Sequence, residues 1–440
     1  MTSLIFLLLS LLILALQNIM DKSGRGFFNP KNMFQLYYII QLPSILFLAT
    51  NFDIPGFLNL SKKTPEEDIL ELSILFIAGQ VLFLLGYYLT RDFIPHNISL
   101  QYSNWNKNWT NKMCLFFFGL GYSAFIYLLE INGGYENFVA GREVWRAGGM
   151  IGQGWLIFPS TTLLALTSVS YIVVNNEKFR KKFGFLRLIV LMGVTILPAS
   201  QMGFRGLMLL PILQILFIYN LRVQVVNFKK ILPFLIGLIL VFTMYGIYRE
   251  SYYLMNDGFS FYIIYDFIFE KPEFFFSILL RSKGADIVSI VTQEMHNIED
   301  YKLFFPSLFE AITIPIPFSF WPSKPVPLSI QFSELFFGLT GGVSPTIIGE
   351  AYWNGGFLGI ISVLFIFGYV VRQFVNASIR YKNNNSVCLL LAGFFPSLIM
   401  MAESIQGYLN GLVLIYIAAT IMSIIFSCGR KESAIKILHG

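Results

Sequence analysis

Charge is what this chain has least of. Lys, Arg, Asp and Glu make up 13% of its 440 residues, about half the share of a typical soluble domain. So few charges cannot cover a water-facing surface, which excludes an ordinary soluble fold. Cysteine is scarce too: Cys114, Cys388 and Cys428 show neither zinc-ligand spacing nor an even-numbered disulfide framework. They read as small buried hydrophobes. His96 and His439 fall on basic connections, and His296, in Gln293-Glu-Met-His-Asn, reads as a surface residue. No internal repeat is visible, so an inverted-repeat transporter finds no support.

What the chain has in abundance is apolar length. Hydrophobic residues reach 55%, aromatics 17%, and mean hydropathy is +0.65. A helix crossing lipid needs about 20 mainly apolar residues. Such runs lie near 3–20, 33–50, 69–89, 113–131, 155–175, 185–201, 206–221, 231–248, 355–371, 387–403 and 409–427. None alternates with period two, so helices rather than barrel strands close the backbone hydrogen bonds. The first run has no basic n-region and no small-residue cleavage site, which makes it a retained helix rather than a signal peptide. The expected fold is all-α: a polytopic integral membrane helical bundle of about 11 transmembrane helices, with residues 1–440 as one membrane domain.

The formal charge of +6 is not a nucleic-acid signature. Connections 21–32, 90–112, 176–187, 222–230, 372–386 and 428–440 carry 20 of the 31 basic residues and four of the 25 acids. They are alternate connections, so the bias reads as topology, with the basic side cytoplasmic. An odd span count then puts the N-terminus outside and the C-terminus in the cytoplasm. The charge forms no single basic face, so no nucleic-acid partner is expected.

One connection is long. Residues 249–354 form a large extracytoplasmic loop, and loops of that length are usually functional. Its aromatic-rich stretches 259–269, 274–280 and 303–320 suit helices at the interface or tucked against the bundle. The Pro-rich piece from Ile314 to Pro325 is expected to form an extended strap. The cytoplasmic side lacks an Asp-x-Asp pair and a glycine-rich phosphate cradle, so an active site would face outward.

Outward arginines are the candidate anion ligands, because a planar, permanently charged fork suits phosphate. Arg142 and Arg146 stand four apart and would share one helix face. Arg205 sits in Met202-Gly-Phe-Arg-Gly, a tight turn between spans with no acid nearby in sequence; Arg249 directly follows a span; Arg281 lies in the large loop. The bland alternative for each is an interfacial anchor or salt-bridge partner, as Arg249 beside Glu250 illustrates. The second constellation runs from Leu339 through Gly341-Gly-Val-Ser-Pro-Thr-Ile-Ile-Gly-Glu-Ala-Tyr-Trp-Asn-Gly-Gly. Glu350 is expected at or just above the membrane surface, with Tyr352, Trp353 and Asn354 around it. Aromatic faces, an amide and a carboxylate suit a sugar, and a carboxylate can act as general base on an acceptor hydroxyl. The bland alternative is a Glu at an exposed helix start.

With these spans, this late large loop, the Gly341–Gly356 motif, Asn132-Gly-Gly-Tyr-Glu-Asn-Phe and Gly203-Phe-Arg-Gly, the chain resembles the O-antigen polymerases (Wzy), the oligosaccharide repeat unit polymerases. The architectural likeness covers nearly the whole chain. It implies a C-type (GT-C) membrane glycosyltransferase, metal-independent and without cofactors, in the bacterial inner (cytoplasmic) membrane. Its substrates would be undecaprenyl-diphosphate-linked oligosaccharides, as donor and acceptor, for lipopolysaccharide or capsular polysaccharide biosynthesis. Membrane lipids and a Wzz-like polysaccharide chain-length regulator would be its partners. On this reading Arg205 and Arg249 hold the diphosphate. Arg142, Arg146 and Arg281 add phosphate or sugar contacts, and Glu350, Tyr352 and Asn354 meet the acceptor. Two rival readings are an O-antigen ligase, for which His296 is the sole outward histidine, and a lipid-linked oligosaccharide flippase or other transporter. Near-absence of charge inside the spans speaks against the transporter.

Overall fold

The computed structural model describes residues 1–20, 28–52, 59–91, 93, 105–140, 153–202, 205–226, 284–294, 328–337 and 343–438, with isolated positions between. Among the described residues all regular structure is helical. In chain order the helices are α1 (Thr2–Met20), α2 (Pro30–Gln41), α3 (Pro43–Asn51), α4 (Glu66–Leu89), α5 (Lys107–Ile131) and α6 (Gly134–Ala140). Then come α7 (Gly154–Val174), α8 (Asn176–Arg180), α9 (Gly184–Gln201) and α10 (Arg205–Arg222). The series ends with α11 (Gly284–Glu294), α12 (Leu328–Phe337), α13 (Thr346–Arg380), α14 (Asn385–Met400) and α15 (Ile405–Leu438).

Seven segments are long and apolar enough to cross a membrane: α2 with α3, α4, α5, α7, α9, α13, and α15 as far as Gly429. Shorter apolar helices lie at α1, α10 and α14. The expected run 231–248 falls almost wholly outside the described residues, as does the strap at 314–325 apart from isolated positions.

The burial pattern is that of a protein in lipid. On α1 the buried positions are Ser3, Ser10, Leu14 and Gln17, while Leu8, Leu12 and Leu16 are at least half exposed. Ser3, Ser10 and Gln17 are seven apart and form one stripe. A helix in water would turn this stripe outward and the leucines inward. In lipid the tails are as apolar as Leu, so helices associate through close packing and polar contacts. Gln80 of α4 shows the second: its Nε2 donates to Gln35 Oε1 at 2.8 Å and to the Ser10 carbonyl at 3.1 Å. Packing dominates elsewhere, as where Phe34 of α2 meets Phe83 of α4 and Phe367 of α13 at centroid distances of 4.5 and 4.7 Å. The chain is a multi-pass, membrane-embedded helical protein.

The two ends of the bundle differ in chemistry. Arg222 bonds Asn385 Oδ1 at 2.6 Å and the Lys382 carbonyl. Arg180 bonds the Val223 carbonyl at 3.1 Å, Gln373 the Arg91 carbonyl at 2.9 Å, and Lys31 the Tyr88 hydroxyl at 2.9 Å. Trp109 reaches the Ile425 carbonyl at 2.8 Å. Described residues in or beside the six basic connections of the sequence therefore gather at one end. The opposite end joins Thr2 to Glu66, Asn59 to Asp286, and Gln293 to Asp68. It is acidic.

The sharpest departure from a plain bundle is α13. Its helix breaks at Gly355 and Gly356, where Gly356 has φ 59° and ψ −143°, a region only glycine enters without cost. Beyond the break, Gly359 lies so close to the Ala351 carbonyl oxygen that a Cβ there would overlap it. Eight residues of straight helix span about 12 Å, so α13 folds back on itself. The first arm, 346–354, starts deep: Ile348 touches Gly79 of α4. Gly79 is thirteen residues from Glu66, or about 20 Å along the helix. The arm climbs until Tyr352 is within electrostatic reach of Glu71, and the second arm descends past Phe83 and Tyr87. The motif expected to lead into a span from the surface is instead a re-entrant helical hairpin.

Candidate functional site

The hairpin's first arm is buried on every side, with every residue from Thr346 to Asn354 buried. It is anchored by Thr346, whose φ of 64° is a strained value for a β-branched residue. The Thr346 hydroxyl accepts the Gly349 N–H at 3.2 Å, standing in for the missing helical partner. The arm is also tied laterally: the Ile347 N–H donates to the Ala402 carbonyl at 2.9 Å, and the Ser344 hydroxyl to the Glu403 carbonyl. Strain held by surrounding bonds is characteristic of functional sites.

Glu350 projects from this arm onto the N-terminus of α15. Its Oε1 accepts Ser307 Oγ at 3.0 Å and the Gln406 N–H at 3.0 Å. Its Oε2 accepts Ser404 Oγ at 3.1 Å and the Ile405 N–H at 2.8 Å. A carboxylate has about four lone-pair sites, and all four are used. The first turn of a long helix offers free N–H groups and a positive dipole end, and among the described residues these N–H groups and two serine hydroxyls are what meet the carboxylate. Glu350 is fully buried and faces the protein interior, because the hairpin folds its side of the helix inward.

Tyr352 and Trp353 follow it inside. Trp353 packs against Phe332 and Phe336 of α12 at centroid distances of 4.9 and 6.4 Å. Asn354 Nδ2 donates to the Glu350 carbonyl at 2.7 Å and to Ser307 Oγ at 2.6 Å, and its Oδ1 accepts the Ser307 N–H at 3.1 Å. The structure thus joins Glu350 and Asn354 through Ser307 in an interior network, while Tyr352 packs against Phe357 at a centroid distance of 5.6 Å.

A second carboxylate lies beside it, one that the sequence reading passed over. Glu403, in the turn between α14 and α15, accepts the Tyr37 hydroxyl and, at 3.4 Å, Gln41 Nε2 on Oε1. On Oε2 it accepts the Tyr408 hydroxyl at 2.9 Å. Glu403, Tyr37 and Tyr408 are each partly exposed. The signal in the sequence is an acid closing the apolar run 387–403, since charge at an intramembrane position is costly and rarely idle.

Described pieces of the large loop converge here. Gly284 at the start of α11 abuts the Gln41 carbonyl and Thr346. Ser307 bonds Glu350, and the Leu328 N–H donates to Gln406 Oε1 at 2.8 Å. Part of the loop thus enters the bundle instead of lying wholly outside it. Farther up, Asp286 of α11 accepts the N–H groups of Asn59 and Leu60 at 2.8 and 2.7 Å.

Arg142, Arg146, Arg249 and Arg281 lie outside the described residues. Arg205 opens α10. The backbone of its neighbour, Gly206, faces the tip of Met400, three residues before Glu403. Phe138 of α6 and Met202 share one small core cluster, so the segment leading to Arg142 packs on the segment leading to Arg205. Cys114 and Cys388 are buried as expected, whereas Cys428 is exposed. Among the described residues no cluster of His, Cys, Asp and Glu could hold a metal ion. Comparison of the chain with protein-family models, with curated proteins and with solved structures returns no match.

Proposed function

We propose that the chain polymerises lipid-linked oligosaccharide repeat units at the acidic end of its bundle. The observation that carries this reading is convergence. Residues of the large loop, the re-entrant arm, and the α14–α15 turn meet around two carboxylates, with tyrosines and hydroxyls beside them and Arg205 opening the adjacent helix. Moving a glycan from a lipid diphosphate to a sugar hydroxyl needs an anion clamp, a polar and aromatic sugar surface, and a group that takes a proton.

On this reading the protein is an O-antigen or capsule polymerase (Wzy-like) with GT-C architecture and eleven spans. It sits in a bacterial inner membrane, with the basic end cytoplasmic and the N-terminus outside. Donor and acceptor are undecaprenyl-diphosphate-linked oligosaccharides, Arg205 and Arg249 clamp the diphosphate, and a chain-length regulator is a partner. The test is the glycan size ladder of a strain lacking this protein. Loss of the ladder with single repeats retained on the core, restored by the wild-type chain, supports polymerisation; loss of all glycan on the core points to ligation.

One observation favours transport as a second reading. A broken, re-entrant helix bearing a carboxylate at mid-bundle depth is the kind of element with which transporters bind cargo. The interior acids also remove the argument that the spans hold no charge. If lipid-linked single repeats fail to reach the outer face in the deletion strain, transport replaces polymerisation.

A further inference from the structure

Two carboxylates share this site, and counting their lone pairs separates their roles. Glu350 takes four donors, two of them backbone N–H groups of α15, and is fully buried. It has no place left for a substrate atom. Among the described residues Glu403 takes three donors, two on Oε1 and only the Tyr408 hydroxyl on Oε2. One lone pair of Oε2 is uncommitted, and the side chain is partly exposed. The tyrosines that bond it, Tyr37 and Tyr408, pack on the core and are each partly exposed.

The geometry points to Glu403 as the residue that receives the acceptor: its free Oε2 position binds a sugar hydroxyl of the incoming lipid-linked repeat unit and accepts its proton. Glu350 is then a positioning residue, fixing the 404–406 backbone next to which Glu403 sits. This assignment rests on the polymerase reading. In the reaction the acceptor hydroxyl oxygen attacks the anomeric carbon of the donor glycan, and its O–H proton passes to Glu403 Oε2. The new C–O bond forms as the anomeric C–O bond to phosphate breaks, and the electron pair leaves with the polyprenyl diphosphate. Glu403 returns its proton to water on product release. The titratable groups facing it among the described residues are the hydroxyls of Tyr37 on α2 and Tyr408 on α15, and none of these described groups is a cation.

The experiment compares Glu403→Gln with Glu403→Asp. Wild type or variant, purified in detergent, is added to membranes of the deletion strain, which hold the accumulated lipid-linked single repeats. Elongation rate is measured against repeat concentration, with the amount of folded variant checked by size exclusion. Gln keeps the shape and two lone pairs but cannot take the proton; Asp keeps the base and shortens the reach. A base that contributes about 10²-fold or more predicts kcat lowered by that factor in Glu403→Gln, with half-saturation little changed, and at least tenfold more activity in Glu403→Asp. A side chain that only holds the turn together predicts the reverse order, and Glu403→Gln within threefold of wild type overturns the assignment. Should Glu403→Gln fail to fold, the comparison moves to Tyr408→Phe, which removes the hydroxyl from the reacting oxygen. A kcat at least fivefold lower supports the role, and wild-type kcat overturns it. A deletion strain that still makes its ladder sinks the polymerase reading itself. Loss of the ladder with full rescue by Glu403→Gln sinks only the role of Glu403.

Discussion

Glu350 and Ile405 are joined by a 2.8 Å bond from a backbone N–H to a carboxylate oxygen, and this bond links the re-entrant arm of α13 to the start of α15. Neither residue is informative alone. Together they turn a helix terminus, which leaves its first N–H groups unpaired, into the counterpart of a buried charge.

Glu350→Gln should destabilise the protein more than a neutral swap elsewhere. An amide turns two donors toward a site already crowded with donors from Ile405, Gln406, Ser404 and Ser307. Hydrogen bonds to charged groups contribute about 1.5–3 kcal/mol each, so a loss of about 2 kcal/mol or more is expected. Thermal unfolding in detergent measures it; an unchanged Tm would mean that the carboxylate is not what holds α15.

The hairpin bend gives an ordered set of substitutions. Gly355→Ala is expected to be mild, since its φ is 179° and nothing lies within 4 Å of a Cβ there. Gly356→Ala forces an L-residue to a positive φ, at about 1–2 kcal/mol. Gly359→Val drives a side chain into the Ala351 carbonyl and should abolish accumulation in the membrane. Quantifying the three by fluorescence-detected size exclusion checks the order, and equal tolerance of all three would mean that the helix does not fold back.

Replacing Arg205 by Ala or Lys should abolish polymer formation while the protein remains in the membrane at wild-type level. Lys keeps the charge and loses the planar fork, so its failure would identify bidentate anion binding. Immunoblots of membranes beside the glycan ladder give both readings; full activity in either variant removes Arg205 from the clamp.

Thiol labelling tests the orientation. Cys428 is exposed and is the penultimate residue of the span that ends at the basic end, whereas Cys114 and Cys388 are buried. A membrane-impermeant maleimide should therefore label inside-out vesicles and spare intact spheroplasts, with Cys428→Ser abolishing the signal. Labelling of intact spheroplasts would reverse the assigned topology.

Gln80→Leu should weaken the seam between α1, α2 and α4 by about 1 kcal/mol, the usual scale of polar contacts between helices in lipid. It removes the donor shared by Gln35 and the Ser10 carbonyl. A raised Tm in detergent would show instead that the seam is better closed by packing.

Much of the fold was legible without coordinates, because lipid imposes strict rules on a chain. It demands long apolar runs and closed backbone bonding, and topology sorts basic residues to one side. Ten of the expected runs coincide with described helices, and described residues in or beside the six basic connections meet at one end as their charge implied. Hydropathy is blind to a helix that enters and returns. The 346–354 arm has the composition of a surface segment leading into a span, so Glu350 read as lying at or just above the membrane surface, in an open site or at an exposed helix start. What buried it was the fold-back that overlaps Gly359 with Ala351 and the pairing of Glu350 with α15. Glu403 was hidden for a similar reason: as the last residue of an apolar run it read as a span boundary. The sequence by itself determined that this is a helical membrane protein and which ends of its helices share a side, since both follow from solvent and charge residue by residue. Only the tertiary structure decided which of two acids is saturated and which keeps an open lone pair, because that depends on donors brought from Tyr37, Ser307 and Ile405, which are distant in the chain and meet only when it folds.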